Sequence, residues 1–381
     1  MKISDKTMKI IKEEQKCIGC NTCMKGCPML YKFCDSPKSL LKELLGSGTF
    51  DYKLPYSCML CGYCTKVCPK GVDLKSLFLE LRRDTVVQTN GKLPKDLGIS
   101  AVDFHQKFSF SKLFTSDIQN LQSDTVFFPG CALMSYSPEI VQKTYNYLRG
   151  KIPGIGIYNK CCGKPTSFIG REEKFKKYFS ILEDEFQSKK VKKVITGCQN
   201  CFITISNNSS TVEVVSLWEV LSSIGIPESR KGIGENIEFE FTIHDPCPTR
   251  DVDVIHESVR DITNQLGIKV KEMKYNRGKT LCCGSGGMVS VTQGHIAKAH
   301  TERRANEAST DYIITYCQEC VESMRRGGKN SFHILDLLFN DKFEDMEQKN
   351  NSTLEKWLNR YKGKRMKAAF NQLREEVKYE E

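Results

Sequence analysis

VKKVITGCQNC, residues 191–201, and DYIITYCQEC, residues 311–320, decide the fold of this chain. Each is a β-branched, apolar run that ends on a C-x2-C pair, and such a run reads as a buried strand. Outward from them the same order of segments appears twice. A strand (TVFFPG or EFEFTIHDP) leads to one cysteine, Cys131 or Cys247. A helical stretch follows (EIVQKTYNYL or VIHESVRDITNQL), then a short segment ending in Cys161-Cys162-Gly163 or Cys282-Cys283-Gly284, then a charged helix. After the C-x2-C pair, Cys198 with Cys201 or Cys317 with Cys320, each copy closes on a strand and a helix, VEVVSLWEVL or FHILDLLF. Equivalent cysteines stand 116–121 residues apart. Strands alternating with helices predict βαβ units and a parallel sheet in each copy. Such sheets place ligands at the C-terminal ends of their strands. All five cysteines of a copy fall at strand-to-helix junctions, so they are expected to converge.

The chain holds nineteen cysteines, and eighteen sort into four groups, leaving Cys34. Besides the ten above, two N-terminal runs read C-x2-C-x2-C-x3-C-P. They are Cys17, Cys20, Cys23, Cys27, Pro28 and Cys58, Cys61, Cys64, Cys68, Pro69. In two-cluster ferredoxins the fourth cysteine of such a run ligates the other cluster. That rule assigns Cys17, Cys20, Cys23 and Cys68 to one [4Fe–4S] cubane and Cys27, Cys58, Cys61 and Cys64 to a second. Zinc also uses C-x2-C pairs, but two tandem runs ending in Cys-Pro argue against it. Cubanes whose irons are all held by protein thiolates pass single electrons and bind no substrate. Any chemistry therefore belongs to the repeat. There, five thiolates per copy exceed the four that a cubane or a zinc ion takes. The fifth bridges irons, caps an extra iron, or stands free as a bystander of the vicinal pair.

Length and composition agree with this reading. At 381 residues, 39% hydrophobic and 27% charged, the chain suits two or three globular domains. The opening MKISDKTMKIIKEEQ has no apolar core of signal-peptide length, and no stretch reaches the roughly 18 apolar residues of a membrane span. A cytoplasmic location is expected, peripheral to a membrane only through a partner subunit, and clustered cysteines there mean metal rather than disulfides. The formal charge of +11 does not indicate nucleic acid. Eighteen thiolates, set against four cluster cores of about +2 each, bring the loaded protein close to neutrality. The runs Lys189-Lys190, Lys192-Lys193 and Arg325-Arg326 also lack interleaved aromatics; they read as solvated helix ends or contacts to an acidic redox partner.

The two C…CCG…C-x2-C groups resemble the cysteine-rich CCG domain of heterodisulfide reductases, and residues 15–339 together resemble the D-type subunit of those enzymes. The same architecture occurs in the iron–sulfur subunits of glycolate oxidase, anaerobic glycerol-3-phosphate dehydrogenase and lactate-utilisation complexes. The resemblance implies a noncubane [4Fe–4S] cluster in each five-cysteine set: Cys131, Cys161, Cys162, Cys198 and Cys201 for one, Cys247, Cys282, Cys283, Cys317 and Cys320 for the other. In the methanogen enzymes two such clusters face each other and cleave a disulfide. The expected fold is α+β and multidomain. A helical two-cluster ferredoxin domain (1–90) and a linker (91–123) precede tandem α/β CCG domains (124–235 and 236–340) with parallel sheets. A charged helical extension (341–381), a surface or partner-docking element, completes the chain.

Two functions fit. One is an iron–sulfur oxidoreductase that cleaves or forms a disulfide at the noncubane clusters, fed by the cubanes. The other is the electron-transfer subunit of a flavin-dependent hydroxy-acid or glycerol-3-phosphate dehydrogenase complex; a redox-responsive scaffold is a third, weaker class. Either way the partners are a flavoprotein or other electron-donor or acceptor subunit and, for the first reading, a thiol or disulfide. Neither G-x-G-x-x-G after a strand nor G-x4-G-K-[ST] is present, and the glycines of CCGSGG (282–287) suit tight backbone wrapping rather than phosphate. His244, just before Cys247, is a candidate to tune a cluster or donate a proton, against the plainer role of loop anchor. Lys164 is by default solvated, with offsetting cluster charge or orienting an anionic substrate as the alternatives; His333 is packed, and Cys34 is a structural or free thiol within reach of Cys27.

Overall fold

The computed structural model describes residues 1–340 and 348–364. β1 (Thr125–Phe128), β2 (Gly156–Ile157), β3 (Lys193–Thr196) and β4 (Glu213–Ser216) form one sheet in the order β2-β1-β3-β4. β5 (Phe241–His244), β6 (Val270–Glu272), β7 (Tyr312–Thr315) and β8 (Asn330–His333) form another in the order β6-β5-β7-β8. Every pairing is parallel. Phe128 lies opposite Thr196, and His244 opposite Thr315. In each copy, then, the strand leading to the single cysteine ends level with the strand leading to C-x2-C. That register puts the thiols of one copy on one sheet edge.

The helices predicted between these strands form at Pro138–Lys151, Glu172–Ser188, Asp253–Gln265 and Gly294–Glu307. One apolar core serves both copies. Phe127, Leu217 and Trp218 of the first pack in a single cluster with Ile243, Ile314 and Leu335 of the second, so neither sheet buries its face alone.

The N-terminal region is helical. Ser36 opens the helix Pro37–Ser47 by accepting from Ser39 N at 3.0 Å, and Asp73 opens Leu74–Gln88 by accepting from Ser76 N at 3.1 Å. Arg82, on the second of these helices, has no exposed surface. Its guanidinium donates to the carbonyls of Pro55 (2.9 Å), Cys58 (2.7 Å), Phe168 (2.6 Å) and Gly287 (2.7 Å). One side chain thus ties the N-terminal region to both repeats.

Residues 91–123, which show no strong periodicity in the sequence beyond Phe104, Phe108, Phe110 and Phe114 at mixed helical spacing, contain the helix Ile99–Ser109. Its buried face is Ile99, Val102, Gln106 and Ser109; half of that face is polar, which erases the apolar repeat. The C-terminal stretch forms the helix Thr353–Lys364, and the remainder of the predicted helix lies outside the described residues. It is not a free surface extension: Arg360 is 2% exposed, and the helix packs along Cys131–Tyr136.

Candidate metal centres

The N-terminal thiols group crosswise between the two runs. Cys23 lies close to Cys17, Cys20 and Cys68, and one cavity is lined by Cys17, Cys20, Cys23, Cys64 and Cys68. Cys27 lies close to Cys58 and Cys61, and Cys64 to all three. A second cavity is lined by Cys27, Cys58, Cys61 and Cys64. Cys34 lines neither; its Sγ donates to Leu30 O at 3.4 Å, and burial pushes its thiol up to about 11. Burial, with Cys17 next, likewise pushes Cys23 up to about 11, and burial with Cys61 pushes Cys58 up to about 12. Cys23 and Cys58 thus favour the protonated thiol, and binding soft metal there would release those protons.

In the first repeat Cys131 Sγ stands 3.6 Å from Cys161 Sγ, and hydrogen bonds continue through Cys162 and Cys201 to Cys198. Gly130 makes this approach possible. Its φ is +83°, and a Cβ there would lie 3.0 Å from Cys198 Cβ and 3.1 Å from Cys201 Sγ. Cys161 accepts from Gly163 N at 3.4 Å and from Gln106 Nε2 at 3.5 Å. Gln106 is itself oriented by Thr166 Oγ1, which donates to its Oε1 at 2.9 Å. Donation from Cys131 and Cys162 holds the Cys161 thiol well below its ordinary range.

In the second repeat the same five positions converge. Cys282 takes hydrogen bonds from Cys247 and Cys61, and Cys283 and Cys320 link it to Cys317. The bystander reading of the vicinal pairs therefore loses ground, since both members of each pair sit among the other thiols. His244 is fully buried, and one of its ring nitrogens lies within 4.8 Å of the Cys283 and Cys320 thiols. Arg304 Nε donates to His244 Nδ1 at 3.0 Å, so the neutral ring carries its proton on Nε2, which has no hydrogen-bond partner. Burial, then Arg304, keep the imidazole neutral. His333 is packed, 5.7 Å from Trp218, and caps the helix Ile334–Phe339.

The four sets lie in series. Cys61 of the N-terminal region hydrogen-bonds Cys282 of the second repeat, and Cys317 of the second repeat faces Cys198 of the first. At the last set lies a cavity of 320 Å³, lined by its five thiols, Cys131, Cys161, Cys162, Cys198 and Cys201, together with Lys164, Glu319, Trp357 and Arg360. Eighteen soft thiols with few oxygen donors suit iron–sulfur clusters by donor chemistry.

A 4Fe–4S dicluster domain matches residues 16–73, and a cysteine-rich domain matches residues 125–206 and 241–325. An uncharacterised iron–sulfur protein of Methanococcus maripaludis is 25% identical, over 85% of this chain and 70% of its own length. The D-type subunit of the dihydromethanophenazine:CoB–CoM heterodisulfide reductase of Methanosarcina barkeri is 21% identical, over 83% and 89%. The chain is an iron–sulfur electron-transfer protein related to that heterodisulfide reductase component. The B-type subunit of the fumarate reductase (CoM/CoB) of Methanothermobacter marburgensis is also similar, at 23% over 86% of this chain and 71% of its own. The heterodisulfide reductase and fumarate reductase relatives are subunits of redox enzymes. No helix among the described residues of this iron–sulfur protein is long and apolar enough to cross a membrane.

Sequence reasoning missed three contributors to this iron–sulfur protein's first site. Gln106, Trp357 and Arg360 come from segments outside the repeat, and only the Phe104–Phe108 spacing hinted that residues near Gln106 were helical.

Proposed function

We propose that this protein is an oxidoreductase acting on sulfur, with four clusters: two cubanes at the crosswise N-terminal sets and one noncubane cluster at each five-thiol set. When bound, the clusters would supply single-electron storage and soft iron sites for sulfur. The balanced reaction is R–S–S–R′ + 2e⁻ + 2H⁺ giving RSH and R′SH, the electrons coming from a flavoprotein or other carrier subunit. One observation carries the reading: the thiol sets run in series and end at a 320 Å³ cavity rather than at a closed surface. A cluster held by the five thiols would occupy part of this space, and the wall of Lys164, Trp357 and Arg360 is what would face a substrate. The heterodisulfide reductase and fumarate reductase relatives, both named for CoM and CoB, support a heterodisulfide-type substrate.

The chain's own residues divide the work. Lys164 and Arg360 face the cavity with positive charge, while Trp357, Phe168 and Met288 line it with apolar surface that excludes water. His244, proton on Nε2, points its chemistry at the second set and not at the cavity. Its role is to donate a hydrogen bond to thiolate sulfur there, which tunes potential, rather than to deliver the product's proton.

The test is a thiol titration of oxidised, cluster-loaded protein followed by electron paramagnetic resonance. A thiol-dependent signal lost in Cys162→Ser is expected. A silent titration with all clusters present favours the relay alternative, an electron-transfer subunit working with a hydroxy-acid or glycerol-3-phosphate dehydrogenase.

A further inference from the structure

The cavity over the first thiol set has a roof that belongs to neither repeat. Two helices form it, Ile99–Ser109 and Thr353–Lys364, and both lie outside the residues matched by the dicluster and cysteine-rich domains. The second helix is firmly seated. Asn359 Nδ2 donates to Ser135 O at 2.9 Å and Tyr136 O at 3.0 Å, and Asn351 Nδ2 reaches the same two carbonyls. Lys356 adds an ion pair to Glu322 at 2.5 Å. These contacts fix the helix against the turn that carries Cys131.

Arg360 is consequently held in an unusual state. It is 2% exposed yet lines the cavity. Nη1 donates to Ser109 Oγ at 2.8 Å, and the guanidinium lies 4.6 Å from the Trp357 ring centre. Nε has no hydrogen-bond partner, and among the described residues no carboxylate pairs with Arg360. A buried guanidinium with an unused N–H is costly unless something completes it. Lys356, on the same helix, already has Glu322. Lys164, half-buried on the cavity wall, also lacks a carboxylate partner among the described residues and rests over the Phe168 ring at 4.8 Å. The cavity thus presents two cations with no carboxylate partner among the described residues beside a set of thiols, with Glu319 and the Lys356-paired Glu322 as the acids on its wall.

We propose that Arg360, with Lys164 as second cation, recognises an oxyanion (carboxylate, sulfonate or phosphate) carried by the sulfur compound that enters this cavity, making the C-terminal helix the specificity element of the site. The inference rests on reading the cavity as the substrate site. A planar guanidinium that is already stacked and anchored loses little freedom on gripping a second planar or tetrahedral anion. The chain's own alternative use for Arg360, offsetting charge on the neighbouring thiols, would act equally on charged and neutral ligands.

That difference sets the experiment. Cluster-loaded protein is titrated by calorimetry, with spectra recorded in parallel, against 3-mercaptopropionate, its neutral analogue 3-mercaptopropanol, and propionate, which has no sulfur. The acid is expected to bind more tightly than the alcohol. Arg360→Gln should weaken the acid about ten- to a hundred-fold while leaving the alcohol unchanged, and Arg360→Lys should restore part of the difference. Lys164→Gln should give a smaller loss with the same selectivity. Equal weakening of acid and alcohol in Arg360→Gln, or equal binding of both by the unmodified protein, overturns the proposal. Propionate binding that depends on Arg360, with neither thiol altering the cluster spectra, keeps the anion site and sinks the sulfur reading instead. Binding of none of the three overturns both.

Discussion

The two cysteine-rich repeats share strand order, register and ligand pattern, yet their sites differ in what covers them. Thiol exposure does not separate them: Cys282, Cys283, Cys317 and Cys320 are at most 4% exposed, and Cys161, Cys162 and Cys201 at most 3%. The second is closed by the N-terminal region, since Cys282 belongs to the apolar cluster of its helices. The loop after it is pressed onto that region. Gly287 has φ +58°, and a Cβ there would lie 2.5 Å from Cys58 O. The first site opens on a cavity roofed by helices from elsewhere in the chain. One five-thiol motif is packed against the N-terminal cysteines in one copy and lies under a roofed cavity in the other; under the proposed function the former is a junction and the latter a terminus. Surroundings, not ligands, make that distinction.

The contrast can be broken most severely at the cysteines. Cys283→Ser should abolish electron delivery to the first set as well as the second, whereas Cys162→Ser should spare reduction of the other three sets and remove only the response to thiols. Stopped-flow reduction with spectra for each cluster type reads this. Identical phenotypes would erase the distinction between junction and terminus. Iron analysis of the anaerobically loaded parent should give about sixteen irons per chain.

Next in size is Arg82→Met. Four buried carbonyls lose a charged donor at once, with an expected destabilisation on the order of 4 kcal/mol or more. Denaturant unfolding measures it, and a loss under about 1 kcal/mol would show that the regions dock without this knot. Gly287→Ala tests the sealed contact itself. Strain at positive φ and the clash with Cys58 O should cost about 1–3 kcal/mol and slow electron entry to the second repeat, while Gly294→Ala, where nothing lies within 4 Å of an added Cβ, should do neither.

The last effect, confined to the pH profile, concerns the matching capping boxes. Ser216 and Glu219 open the closing helix of the first repeat, His333 and Asp336 that of the second. Asp336 is fully buried, accepting from Tyr136 Oη at 2.9 Å and His333 N at 2.9 Å, and burial raises its carboxyl to about 7. A folded value above the unfolded one means that its stabilising contribution is complete below about pH 4 and fades as pH climbs through 7. Asp336→Asn should remove that fading, raising stability at pH 8 relative to pH 5 by about 2–3 kcal/mol. Glu219→Gln, at a half-buried position, should change the pH profile less. Equal profiles would mean that burial is not what separates the two boxes.

Much of the molecule was legible beforehand because its signals are local. Strand runs 193–196 and 312–315 were readable from β-branched residues, and a crosswise grouping of the N-terminal thiols was the expectation from the ferredoxin rule. His333 was rightly read as packed. The helix at 99–109 was not readable, since Gln106 and Ser109 occupy its buried face, and polar residues buried against a partner look like loop in one dimension. The C-terminal helix looked like surface because its cations hide their purpose until the cavity is seen. His244 was singled out, but its pairing with Arg304 and the free Nε2 depend on residues sixty positions apart.

Sequence by itself determined where the soft thiols stand, how their spacing groups them, and that two of the groups lie in copies of one βαβ unit. Cysteine spacing within a loop and β-branched runs are short-range properties, written wherever the chain must bend or extend. Only the tertiary structure decided the order of the sets, which of the copies is closed, and what stands over the open one. Those depend on contacts across long separations, such as Cys61 with Cys282 and Arg360 with Ser109, which apolar packing and buried polar satisfaction select and no local pattern encodes.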